Sequence, residues 1–232
     1  MSLIGDRIER GVSLALAISA IIIAAAFVYR QFDPAPPTPM ARPPVTVTLL
    51  AGWRELLGTG RQVSNSNATV QLIEFIDLEC PACRAFANTL SRVQRSYGSS
   101  LGVTLIHFPL PMHRFARQAA RVAECGVAEG KFNDLVRVIL NDGDSLVLNR
   151  WAAYGRTVGI RDSIAFTRCL ADTAPVLVME RGLVVGDRIG VRATPTILVN
   201  GWRYSTTPTE AELKETIDAV LKGERPPLAA GN

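Results

Sequence analysis

Two cysteines separated by two residues, Cys80 and Cys83, follow an apolar stretch that is typical of a buried strand. The stretch, TVQLIEFI at residues 69–76, is rich in branched and aromatic side chains, and a helical pattern continues after the cysteines to about Tyr97. Another apolar stretch, GVTLIHFPL at residues 102–110, predicts a second strand. A crossover of this length allows the two strands to be parallel. The cysteine pair therefore lies where a helix begins in an α/β fold.

The predicted position of Cys80 at the start of a helix favours its ionised form. Thiol–disulfide exchange requires a thiolate, because the protonated thiol is a poor nucleophile. Pro81 suits the first helical turn, where unpaired backbone amides and the helix dipole stabilise an anion. We therefore expect a lowered pKa for Cys80 and a protonated, shielded Cys83 one turn deeper. The pattern predicts a redox centre in which Cys80 attacks and Cys83 resolves.

Two other kinds of site contain closely spaced cysteines. A zinc site needs further ligands, and Cys125, Cys169, His107 and His113 do not stand at a zinc-binding spacing. Two inert buried thiols are the remaining alternative. A proline between two cysteines at a strand–helix junction makes this alternative less favoured than the redox centre, and we expect no metal.

A second motif lies at residues 190–201, GVRATPTILVNG, where Pro195 precedes a predicted strand. A proline at this place is compatible with a cis peptide bond, and the backbone of Thr194 would then face an extended peptide beside Cys80. A trans proline at the start of an edge strand is the alternative. The presence of the cysteine pair favours the cis form.

With both motifs, the sequence resembles the DsbA-like family of thiol–disulfide oxidoreductases. LIEFIDLECPAC at residues 72–83 matches the active-site segment of that family, and residues 190–201 match its cis-proline segment. HFPLPMH and the helical runs after it resemble the helical insertion of the family. The resemblance covers about residues 65–221 and implies an α/β thioredoxin fold interrupted by an inserted helical domain.

The resemblance also implies a role for each matching residue. Cys80 would form a mixed disulfide with the substrate and Cys83 would resolve it, while Thr194 and Pro195 would contact the bound peptide. Glu74 would be a buried acid that relays a proton to or from Cys83. Strand alternation supports this placement, and burial under helices would raise the pKa of Glu74. A glutamate at an exposed edge of the sheet is the alternative.

The dipeptide between the cysteines departs from the most oxidising members of the family. Ala82 stands where a histidine would add positive charge beside the thiolate. We therefore expect a less stabilised thiolate and a less oxidising pair. Disulfide formation is the favoured direction, and isomerisation or reduction remains open.

Residues 114–187 show helical periodicity and predict the insertion, with Cys125 and Cys169 inside it. In an oxidising compartment these two cysteines are expected to form a structural disulfide, which stabilises by about 4 kcal/mol for a loop of about 45 residues. Two separate buried thiols are the alternative. His107 and His113 can approach the active site, but one core histidine and one capping histidine are the more ordinary expectation.

An uncharged run of nineteen residues, 11–29, precedes the folded part. At 1.5 Å per residue it spans about 30 Å, the thickness of a bilayer core. We expect residues 1–30 to be an N-terminal transmembrane helix rather than a cleaved signal peptide or a buried helix. Residues 31–44 contain six prolines and predict an extended stalk. The thioredoxin-like domain is assigned to residues 45–225, and residues 226–232 form a tail.

The composition supports a well-buried core and gives no support to nucleic-acid binding. Hydrophobic residues make up 48% of the chain and charged residues 20%. The net charge is +4, and the lysines and arginines are scattered rather than clustered. The sequence thus predicts a single-pass protein of the bacterial inner membrane with its catalytic domain on the periplasmic side, and no cofactor. Expected partners are cysteine-containing exported proteins and a membrane redox protein that resets the cysteine pair. A non-catalytic anchored chaperone with a structural disulfide, and a reductant for cytochrome assembly, are the alternatives.

Overall fold

A computed structural model of the chain describes residues 3–32, 42–143, 146 and 151–229. The chain divides into two compact units, Met1–Pro44 and Val45–Asn232. In the first unit, helix α1 (Leu3–Phe32) contains the segment Val12–Gln31, which is long and apolar enough to cross a membrane. The helix is therefore a candidate transmembrane span. Most of the predicted Pro-rich stalk, residues 33–41, and the end of the predicted tail, residues 230–232, lie outside the described residues.

The described residues of the second unit form one mixed sheet of six strands. The strands are β1 (Val47–Leu49), β2 (Arg61–Gln62), β3 (Val70–Ile76), β4 (Leu101–His107), β5 (Thr196–Val199) and β6 (Trp202–Tyr204). Their order across the sheet is β1-β6-β5-β3-β4-β2. The central strands β3 and β4 are parallel, as the sequence predicts, and every residue in both is buried.

Helices surround the sheet and fill the long connection between β4 and β5. Helix α2 (Pro81–Tyr97) crosses from β3 to β4, and α8 (Glu210–Leu221) follows β6. The insertion contains α3 (Ala116–Cys125), α4 (Phe132–Asp142), α5 (Trp151–Thr157), α6 (Ser163–Ala171) and α7 (Leu177–Arg188). The fold is therefore a thioredoxin-like α/β fold with a helical insertion.

The two faces of β3 contribute to different parts of the core. Leu72 and Ile76 pack in the larger cluster with α2, α4 and α8, whereas Ile73 and Phe75 pack in the smaller cluster. Helix α7 packs against the sheet beside the smaller cluster, and Gly182 lies in this helix. A Cβ atom at Gly182 would lie 2.3 Å from the carbonyl oxygen of His107. Glycine is required at this position because the backbone of α7 approaches β4 so closely.

The register of the sheet determines what lies beside the end of β3. Strand β5 is antiparallel to β3, with Thr196 opposite Phe75. The residues before Thr196 therefore lie beside the residues that follow β3. This arrangement brings the segment before β5 next to the start of α2.

Candidate active site

Cys80 occupies the position immediately before the first turn of α2. Its backbone is extended, with φ −69° and ψ 121°, and α2 begins at Pro81. The amide of Arg84 donates to the carbonyl oxygen of Cys80 at 3.1 Å, which closes the first helical turn. Cys80 is 7% exposed and Cys83 is fully buried, and both are free thiols. The attacking sulfur predicted from the sequence is thus the one nearer the surface.

The segment before β5 lies directly beside Cys80. The peptide bond between Thr194 and Pro195 is cis. The Cys80 thiol donates to the carbonyl oxygen of Thr194, with 3.3 Å between the two atoms. The structure therefore brings together the four residues that the sequence assigns to catalysis and substrate binding at this junction.

The surroundings of the two thiols lower the pKa of Cys80 and raise the pKa of Cys83. A hydrogen bond from the Cys83 thiol is the largest cause that lowers the pKa of Cys80, to about 5. Burial opposes this effect, while the Thr194 side chain and the backbone amides of Cys83 and Ala82 add to it. The pKa of Cys83 is raised, first by burial and then by its hydrogen bond to Cys80 and by the charge of Glu74. At neutral pH the pair therefore holds one thiolate and one thiol.

Glu74 lies in the middle of β3, on the sheet face that α2 covers, and is 2% exposed. Burial, followed by the charge of Cys80, raises its pKa to about 8. Its Oε1 atom has no hydrogen-bond partner among the described residues. Glu74 is therefore protonated at neutral pH and is near enough to Cys83 to affect its ionisation.

Asp77 and His113 form part of this site, where the sequence gives Asp77 no role and makes a capping histidine the more ordinary expectation for His113. The buried carboxylate of Asp77 accepts hydrogen bonds from the amides of Glu79 at 2.8 Å and Leu110 at 2.7 Å. His113 Nδ1 lies 2.7 Å from the same carboxylate. Asp77 thus joins the loop that leads into α2 to the loop that follows β4. An acid placed directly after an apolar strand was the one signal in the sequence.

These surroundings raise the pKa of His113. Burial alone would lower its pKa, but the hydrogen bond to Asp77 and the charges of Asp77, Cys80 and Glu79 raise it overall. The charge of the Cys80 thiolate is thus one of the causes that favour a proton on His113, which lies on another loop.

The remaining candidate residues lie elsewhere in the insertion and the core. Cys125 at the end of α3 and Cys169 in α6 form a disulfide, with 5.8 Å between their Cα atoms. His107 is buried at the end of β4, with Nε2 3.1 Å from Glu124 Oε1, and so belongs to the core. Among the residues that the structure describes, no group of His, Cys, Asp and Glu has the arrangement of a metal site.

The fold and the cysteine pair define a protein of the thioredoxin class. The family model described as Thioredoxin matches residues 57–219, which is more than half of the chain. The chain therefore belongs to the thioredoxin family.

Solved structures with the same fold include DsbA-like proteins. BdbD from Bacillus subtilis is 19% identical with a TM-score of 0.65, and the match covers 72% of this chain and 95% of that protein. The thiol-disulfide exchange protein α-DsbA2 from Wolbachia pipientis is 16% identical with a TM-score of 0.64, over 72% of this chain and 91% of that protein. At this level of identity the likeness shows the fold, which is the DsbA-like form of the thioredoxin fold.

Curated relatives found by sequence are longer proteins of another kind. The Na(+)/H(+) antiporter NhaA 1 of Mycolicibacterium vanbaalenii is 27% identical over 165 residues, and the match covers 66% of this chain and 25% of that protein. The chain thus spans about a quarter of the length of this relative.

Proposed function

We propose that the protein is a membrane-tethered thiol–disulfide oxidoreductase that forms disulfides in exported proteins. The observation that carries this proposal is the position of Cys80, at the start of α2 beside Cys83 and Thr194, with its pKa lowered to about 5. A sulfur in this setting is a good leaving group, and of the two sulfurs it is the one nearer the protein surface. Membership of the thioredoxin family supports disulfide chemistry in general.

In the first step, a thiolate of the substrate attacks Sγ of Cys80 in the oxidised pair. The bond between Cys80 and Cys83 breaks, a mixed disulfide forms, and Cys83 leaves with the electron pair. Because the pKa of Cys83 is raised, the departing sulfur takes up a proton. Glu74 is buried beneath the pair and protonated at neutral pH, so we assign it the role of proton donor.

In the second step, another thiolate of the substrate attacks the substrate sulfur of the mixed disulfide. Cys80 leaves as a thiolate, which its surroundings stabilise, and the substrate carries a new disulfide. Two electrons have then passed from the substrate to the Cys80–Cys83 pair. A membrane redox protein must accept these electrons before another cycle begins.

The low pKa of Cys80 favours disulfide formation over reduction. Stabilising the thiolate stabilises the reduced pair, and a stable reduced form makes the oxidised form a stronger oxidant. The raised pKa of His113 favours a proton on this side chain, which would add positive charge near a thiolate that lacks a histidine at position 82. A reductant for cytochrome assembly would use the same residues, but would need a thiolate that is less stabilised.

The N-terminal helix supports the proposed attachment to a membrane. The segment Val12–Gln31 is long enough to cross a bilayer and lies near the N-terminus. With the N-terminus on the cytoplasmic side, the thioredoxin-like unit would lie in the periplasm, where disulfides such as the one between Cys125 and Cys169 persist.

A single-turnover assay tests the proposal. The full chain in detergent micelles, with its pair oxidised, is mixed with a reduced peptide that contains two cysteines, and the peptide disulfide is followed by mass spectrometry. We expect one peptide disulfide per protein. We also expect no product from Cys80→Ser, and a trapped mixed disulfide when reduced Cys83→Ser meets an oxidised peptide. A pair that dithiothreitol cannot reduce without unfolding the domain would instead indicate a structural disulfide in a non-catalytic protein.

A further inference from the structure

A cleft of about 570 Å³ opens beside the active site, between the loop that follows β4 and the end of α7. Its apolar lining consists of Phe108, Pro109, Leu110, Pro111, Leu183 and Val191. Phe108, Pro109 and Val191 are buried, whereas Leu110 and Leu183 are partly exposed. The cleft therefore presents an apolar surface to solvent.

The rim of this cleft is predominantly basic. Arg114, Arg117 and Arg192 line it, against one carboxylate, that of Asp187. Arg117 forms an ion pair with Glu180, and the guanidinium of Arg114 lies over the ring of Phe115. The positive charge that remains for a ligand is thus at Arg114 and Arg192.

The ion pair that Arg192 makes within the protein is weak. Its guanidinium lies 3.5 Å from Asp187, and the two side chains are 74% and 70% exposed. Exposed pairs of this kind contribute at most about 1 kcal/mol. Arg192 can therefore exchange Asp187 for a carboxylate brought by another molecule.

The cleft is close enough to Cys80 for one substrate segment to occupy both. Arg192 precedes Thr194 by two residues, and the carbonyl oxygen of Thr194 lies 3.3 Å from Cys80 Sγ. On the other wall, His113 lines the cleft and is held by Asp77, whose carbonyl oxygen accepts from the amide of Cys80 at 3.1 Å. An extended chain with its cysteine at Cys80 can thus continue into the cleft.

We propose that this cleft is a specificity subsite that binds an apolar residue followed by an aspartate or glutamate in the substrate polypeptide, near the reacting cysteine. The apolar side chain covers Leu110 and Leu183, and the carboxylate pairs with Arg192 and Arg114. The inference rests on the proposed function, because it concerns the choice among substrates of the same exchange reaction.

Peptide competition on the full chain in detergent micelles tests this subsite. Reduced two-cysteine peptides carry Leu-Asp, Leu-Asn or Leu-Lys at several spacings on either side of the cysteines. With the Cys80–Cys83 pair oxidised at the start, we expect the ratio of the second-order rate constants for the Leu-Asp and Leu-Asn peptides to reach about two to five at the best spacing, the range that exposed ion pairs give. Added salt should lower the ratio, because it screens exposed charges.

Variants distinguish an effect of the cleft arginines on the rate ratio from an effect of the overall positive charge of the protein. In the double variant Arg114→Gln/Arg192→Gln the ratio should fall to about one. Arg188→Gln is the matched control, because Arg188 is exposed at the end of α7 and does not line the cleft. In this control both the ratio and the rate with dithiothreitol should stay as in the native protein.

Each failure has a distinct signature. A ratio of one at every spacing, with the Leu-Asn peptide and dithiothreitol still oxidised, would overturn the subsite and leave the proposed function intact. An equal loss of the ratio in Arg188→Gln, or a preference for Leu-Lys, would also overturn it. If neither peptides nor dithiothreitol exchange with the pair, the proposed function itself fails.

Discussion

The carbonyl oxygen of Thr194 lies 3.3 Å from Sγ of Cys80, although the two residues are 114 positions apart in the chain. The contact arises because β5 runs antiparallel to β3, so the start of one strand meets the end of the other. It places the sulfur between the first turn of a helix and the backbone of the cis-proline segment. A substrate peptide that pairs with this segment would have its own sulfur beside Cys80.

Replacing Cys83 should raise the pKa of Cys80. The hydrogen bond from Cys83 is the largest cause of the lowered value, so Cys83→Ala should move the midpoint of Cys80 alkylation from about 5 toward the ordinary thiol range. Alkylation rates of the reduced protein, measured across pH, give this midpoint. Cys83→Ser, whose hydroxyl group can still donate, should shift the midpoint less. Equal midpoints in the native protein and both variants would contradict this cause.

Glu74 should make the reduced protein less stable as the pH rises. Its pKa is about 8 in the fold and about 4.3 in an unfolded chain. Between these values the native state holds a proton that the unfolded state has lost, so the free energy of unfolding falls as pH increases. Glu74→Gln removes this dependence. Relative to the native protein, the variant should gain about 4 kcal/mol between pH 5 and pH 8, at about 1.4 kcal/mol per pKa unit.

Urea unfolding of the reduced proteins at several pH values measures the effect of Glu74. Glu215→Gln is the matched control, because Glu215 is exposed in α8 and should leave the pH dependence unchanged. Parallel curves for the native protein and Glu74→Gln would mean that this glutamate does not hold a proton in the fold.

Replacing His113 with a neutral residue should raise the pKa of Cys80. Asp77, which lies 2.7 Å from the histidine, and the charge of Cys80 both contribute to the raised pKa of His113. His113→Gln keeps a hydrogen-bond donor for Asp77 and removes the charge, so the midpoint of Cys80 alkylation should rise by about half a unit to one unit. An unchanged midpoint, with the fold intact by circular dichroism, would leave His113 with a structural role only.

Much of this site could be predicted from the sequence, because its strongest signals are local. The apolar strand, the cysteine pair with Pro81, and the proline at position 195 each lie within a few residues of the feature they predict. Strand β2 and the pairing of His113 with Asp77 were not predicted. Strand β2 has only two residues, and its pairing depends on β4, while His113 and Asp77 are 36 positions apart. Contacts of this kind exist only once the sheet has formed.

The disulfide of the insertion should stabilise the fold without taking part in exchange. It joins Cys125 and Cys169 across 44 positions, which corresponds to about 4 kcal/mol in the chain-entropy model. The double variant Cys125→Ser/Cys169→Ser should lower the free energy of unfolding by up to about this amount, measured in urea. At a temperature where the variant is folded, its exchange rate with a two-cysteine peptide should match the native rate. A lost exchange rate in the folded variant would mean that this disulfide acts in the reaction.

The titration of the Cys80 thiol in the reduced full chain tests the account most directly. Thiolate absorbance in the ultraviolet, compared with the same titration of Cys80→Ser, isolates the contribution of this sulfur. We expect a midpoint near pH 5, since the Cys83 thiol, the Thr194 side chain and the backbone amides of Cys83 and Ala82 stabilise the anion. A midpoint near 9, the value of an ordinary thiol, would contradict the proposed role of Cys80 as the reactive sulfur of an oxidoreductase.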